Sequence, residues 1–172
     1  MKLAIAALML TTLAGPASAQ HHQQPPHTPY AGFQQRELKA LSAQQIADLR
    51  AGRGMGLALA GELNGYPGPL HVIELAEPLQ LNAVQRQRVQ ELFEAMKVEA
   101  ITVGERLIAQ ENELDRAFAE RRTDPDSLGR LTAQIGETQG QLRAVHLKYH
   151  LTTAALLTED QRDRYAALRG YR

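Results

Sequence analysis

Two long stretches of the chain carry apolar residues on a repeat of alternating threes and fours. In the first, Val89, Phe93, Met96, Ala100, Val103, Leu107, Gln110 and Leu114 share a phase. In the second, Leu128, Leu131, Ile135, Thr138, Leu142, Val145, Tyr149, Thr152 and Leu156 do so. A repeat near 3.5 residues puts each set on one stripe of a helix and lets two stripes interlock. Between them lies "RTDPDS" (122–127), too short to separate the partners, so the pattern predicts a long antiparallel helical hairpin with a coiled-coil seam. Asp124 and Ser127 are both suited to cap the second arm, with Pro125 in its first turn. Residues 34–63 read as helical material interrupted by glycines, broken at "AGRGMG" (51–56). "NGYPGP" (64–69) is a turn, and Pro69 opens a helix through His71, Ile73 and Leu75. No alternating β pattern competes, so the fold class is all-α, a long hairpin with additional shorter helices.

Three related pentapeptides stand at helix starts: "LSAQQ" (41–45), "LNAVQ" (81–85) and "LTEDQ" (157–161). Ser42, Asn82 and Thr158 are N-cap residues, and Gln45, Gln85 and Gln161, three positions on, complete capping boxes. Leu41, Leu81 and Leu157 precede the caps, where a hydrophobic staple belongs. Each box contributes about 1 kcal/mol of helix stability.

The N-terminus has a different pattern. Lys2, the apolar run Leu3–Leu13 and the small residues Ala17-Ser18-Ala19 read as a secretory signal over 1–19, too short for a membrane-spanning helix. Cleavage after Ala19 leaves 153 of the 172 residues. Residues 20–33, beginning "QHHQQPPHTP", read as a disordered His- and Pro-rich tail, and 34–172 as one helical domain. Without Lys2 the chain has 18 basic and 19 acidic side chains, which gives no electrostatic footprint for nucleic acid or an anionic membrane. The absence of cysteine removes disulfides, thiolate nucleophiles and Cys-ligated metal sites from consideration. Nothing locates a nucleophile with its base and oxyanion donors, and the carboxylates of "ERLIAQENELDR" (105–116) alternate with arginines as on a solvated helix face. The chain is not read as an enzyme.

The chemistry that stands out is His146 and His150. On a helix they lie one turn apart on one side, a spacing that chelates Zn, Ni, Co or Cu through two imidazoles or simply sits in solvent. With Val145 and Tyr149 in the seam, His146 falls at its edge and His150 further outward. Further ligands must come from elsewhere. His71 and Glu74 share a helical face, and Glu62 and Glu77 are weaker options. Met96 reads as core, and Glu99 falls on the opposite flank of the seam. In the tail, cleavage before Gln20 would place His22 third, where the free amine, backbone amides and imidazole form a square-planar set for Cu or Ni; His27 could add to it.

The boxes "LNAVQRQRV" and "LTEDQRDRY", bracketing a helical hairpin behind a signal sequence, resemble the LTxxQ motifs of the Spy/CpxP superfamily over roughly Leu70 to Tyr171. The first departs from the motif with Asn82 in place of Thr. The resemblance implies a periplasmic, dimeric, cradle-shaped helical protein. It also implies one of two tasks. One is to bind a divalent metal as a sensor or buffer, working with a membrane signalling protein; the other is to shield unfolded client proteins as an ATP-independent holdase. Family sensors carry a His-x3-Met pair on the last long helix, and many relatives His-x3-His; His146 and His150 match that pair, with His150 in the Met position. The sensors' second His-x3-His pair, on their N-terminal helices, is not reproduced here.

Overall fold

The computed structural model describes residues 29–171. Among them, Gly32 onward forms one compact unit. The segment read as a secretory signal and most of the His/Pro-rich stretch read as a tail lie outside the described residues. Phe33, placed in the tail by its sequence, opens a short 3-10 turn at Phe33–Gln35, with the Arg36 guanidinium 3.5 Å above its ring.

Among the described residues the fold is all helical: α1 (Ala43–Arg50), α2 (Leu59–Glu62), α3 (Pro69–Glu74), α4 (Ala83–Ala119), α5 (Pro125–Leu156) and α6 (Glu159–Leu168). α4 and α5, of 37 and 32 residues, dominate. Cross-contacts set their direction. Arg106 donates to Gln141, while Lys148 and the Tyr149 hydroxyl donate to Glu99 at 2.6 and 3.1 Å. Partner numbers rise on one helix as they fall on the other, so the two run antiparallel.

All three capping boxes form, with Ser42, Asn82 and Thr158 accepting from the amides of Gln45, Gln85 and Gln161 and each glutamine reaching back. Asp124 rather than Ser127 caps α5, accepting from two backbone N–H groups. Two boxes also bond to each other. Gln85 donates to the Gln161 side chain at 2.8 Å and to the Leu156 carbonyl at 2.9 Å. Gln161 donates back to Gln85 at 3.2 Å and to the Leu79 carbonyl at 3.3 Å. This clasp ties the start of α4 to the α5–α6 junction, beside a small core of Val72, Leu79, Leu81, Val89, Leu157 and Tyr165.

The main core runs along the α4–α5 seam through Met96, Ala100, Val103, Leu107, Ile135, Leu142, Val145 and Tyr149. It is wider than a two-helix stripe. α1 brings Ile46 and Leu49 onto α4. It comes so close that a Cβ on Gly104 would stand 2.9 Å from the Leu49 carbonyl oxygen. On α5 the α2–α3 segment has the same effect: His146, His150, Thr153 and Ala154 are buried, whereas Thr152, assigned to the seam by the repeat, is exposed. A third layer on one flank turns a 3.5-residue stripe into a broader buried arc.

Candidate functional site

α5 presents His146 and His150 to this third layer, and both are buried, at 2% and 9% exposure. The outward position expected for His150 is corrected here. α2 and the turn before α3 lie directly against its ring, and glycines make the approach possible. A Cβ on Gly61 would lie 3.5 Å from His150 Cβ, and one on Gly68 only 2.7 Å from His150 Nε2.

The two rings have different surroundings. His150 Nδ1 lies 2.7 Å from the Tyr66 carbonyl oxygen. That oxygen can only accept, so Nδ1 carries the hydrogen and, in the neutral ring, Nε2 holds the lone pair. His146 Nε2 is buried with no hydrogen-bond partner. Burial, aided by neighbouring His150, pushes the His146 pKa below the usual imidazole value, so this ring is neutral at pH 7. A buried ring nitrogen without a partner is uncommon and calls for an explanation.

Beside the histidines stands Glu62, at the end of α2 and 7% exposed. One oxygen accepts from the Tyr165 hydroxyl and, at 3.1 Å, from the Tyr171 hydroxyl. The other accepts from the Gly68 N–H at 3.1 Å and lies 3.6 Å from His150 Nδ1. Arg169 Nε is 3.8 Å from the carboxylate and 3.3 Å from the Tyr171 hydroxyl. Burial and the Glu62 carboxylate hold the Tyr165 phenol well above its ordinary pKa, so the hydroxyl keeps the proton it donates to Glu62. This cluster joins α2 to the C-terminal segment. Sequence reading gave Glu62 a minor place and missed both tyrosines. The available signal was that Glu62 is the only charged residue between Gly54 and Gly68.

A cavity of about 810 Å³ opens over the site, and His146, His150, His71, Glu62 and Met96 all line it. Met96 also belongs to the core, as its sequence position predicts. Glu74 does not line the cavity; it lies on the exposed surface, where its carboxylate takes a 3.0 Å hydrogen bond from His71 Nδ1. Glu77 pairs with Arg86, and Glu99 with Lys148 on the other flank. Three of the four residues read from sequence thus share one chamber, with Glu62 where Glu74 was expected. Among the described residues no three or more His, Asp or Glu side chains converge on one point as a ready metal set. Gln20, His21, His22 and His27 lie outside the described residues. The chain matches no family model, no curated protein and no solved structure at a significant level.

Proposed function

We propose that this chain is an exported helical protein of the Spy/CpxP type that binds a divalent transition metal, Zn, Cu, Ni or Co, at His146 and His150. Its task in this reading is to sense or buffer that metal in the periplasm, as a dimeric cradle built on the α4–α5 hairpin. The observation that carries the reading is the enclosed, partnerless His146 Nε2 on a ring that burial keeps neutral. Neutral imidazole is the metal-binding form. The His150 Nδ1–H bond to the Tyr66 carbonyl is the type of outer contact that orients a ligating imidazole. Two nitrogens leave coordination positions open. Glu62 would fill one by giving up a tyrosine, and His71 another by leaving Glu74. Isothermal titration with each metal, on the wild type and on the His146→Ala/His150→Ala variant, tests the reading. The expected result is saturable binding that the double substitution abolishes. Unchanged binding by a folded double variant rejects it.

A second reading, a holdase for unfolded clients, is favoured by the exposed apolar side chains on and around α2: Leu59, Leu63, Tyr66 and Leu70. Apolar surface grouped in this way attracts other apolar chains. Suppression of aggregation of a reduced client should survive the double histidine substitution and fall with Leu59→Ser/Leu63→Ser.

A further inference from the structure

The 810 Å³ cavity is lined by side chains of two kinds, apolar and cationic. Its apolar lining includes Met55, Leu59, Leu70, Phe93 and Met96. Four cationic side chains also line it, Arg50, Arg53, Lys97 and Arg169, against one carboxylate, Glu62. Both oxygens of that carboxylate are already taken by the tyrosines and Gly68 N–H. Arg50 and Arg53 have partners in Glu105 and Asp48, whereas Lys97 has no ion pair among the described residues. The chamber therefore carries an excess of positive charge beside an apolar surface.

Gly54, Met55 and Gly56, in the loop between α1 and α2, also line the cavity. Met55 and Gly56 take left-handed φ of 43° and 80°. The consecutive N–H groups of Gly54, Met55 and Gly56 donate to no described residue, although the Gly54 and Gly56 carbonyls accept from Leu57 and Leu59. Successive free N–H groups in such a turn form an anion-binding concavity.

We infer that this cavity binds an amphiphilic organic anion, its small oxyanion head held at the 54–56 amides with Arg53 and Lys97, and its single apolar tail lying over Phe93 and Met96. The volume falls within the range of about 300 to 1,000 Å³ typical of small-molecule sites. The inference does not depend on a metal at the histidines.

The test is isothermal titration of EDTA-treated protein with decanoate and decyl phosphate, below their micelle concentrations. Decanol and decyltrimethylammonium provide the same tail with a neutral or a positive head. Saturable binding of one ligand per chain is expected for at least one of the two anions, and the tighter of the two identifies the head. Both control amphiphiles and the Lys97→Glu variant should bind about tenfold more weakly or worse. Lys148→Glu, which reverses a charge outside the cavity, should leave binding unchanged. Equal affinity for decanol, no saturable binding of either anion, or equal losses in the Lys97 and Lys148 variants would each overturn the inference. So would binding to phosphatidylglycerol vesicles that decanoate does not displace. Metal-free protein keeps this result separate from that of the metal titration.

Discussion

Glu62 and Glu111 are buried to nearly the same degree, 7% and 8% exposed, and lead opposite lives. Glu62 receives two tyrosine hydroxyls and a backbone N–H, with Arg169 and His150 just beyond. Glu111 has no hydrogen-bond or ion-pair partner among the described residues, and burial alone pushes its pKa up. The contrast shows that burial of a carboxylate has no fixed sign. A charge out of water is destabilising by itself and becomes a structural node only when donors are built around it.

The most severe way to break the contrast is to make Glu62 resemble its counterpart. Glu62→Ala should cost about 3 kcal/mol, because it leaves the Tyr165 hydroxyl and the Gly68 N–H buried without an acceptor. Urea unfolding of the two proteins measures it directly. Glu62→Gln keeps the shape yet presents an amide N–H₂ to donors, and should fall between the two. Gly68→Ala attacks the same cluster from the backbone side. Its methyl would stand 2.7 Å from His150 Nε2, so the ring must shift and loosen its hold on the Tyr66 carbonyl. A loss of about 2 kcal/mol is expected, together with weakened metal binding if the histidine pair is the ligand set.

Glu111 should respond the other way. Its folded-state pKa lies above the ordinary 4.5, so the folded protein holds that proton more tightly than the unfolded chain does. The stabilising contribution is therefore complete below the unfolded pKa and is lost as pH rises through the folded one. Glu111→Gln should raise stability by about 1 kcal/mol at neutral pH and by little in acid. Unfolding curves at about pH 4 and pH 7 for wild type and variant supply the check; a constant difference between them would contradict it.

What the sequence disclosed, and what it withheld, follows from the range of each interaction. The capping boxes at Ser42, Asn82 and Thr158 span three residues each, so their chemistry is written locally. The i,i+4 relation of His146 and His150 is equally local. The Gln85–Gln161 clasp and the bond from Tyr165 to Glu62 join residues far apart in the chain, and no spacing rule could have matched them. The seam failed at Thr152 for a related reason: a two-helix repeat cannot anticipate a third layer that buries Thr153 and both imidazoles instead. That layer also changed the candidate site, replacing Glu74 with Glu62 and adding the cationic loop side of the cavity.

A third glutamate sharpens the comparison from the solvent side. Glu99 accepts from Lys148 at 2.6 Å and from the Tyr149 hydroxyl at 3.1 Å, with the carboxylate side chain 41% exposed. The Lys148 hydrogen bond holds its pKa below the ordinary 4.5 against a smaller opposing effect of burial. The sign is opposite to that of Glu111: stability is present above the unfolded pKa and lost as pH falls through the folded one. Water screens the pair, so Glu99→Gln should cost only about 0.5 kcal/mol at pH 7, and that cost should shrink with added salt. A double-mutant cycle with Lys148→Met isolates the pair, and a coupling near that of the Glu62 cluster would show that solvent exposure does not explain the gradation among the three carboxylates.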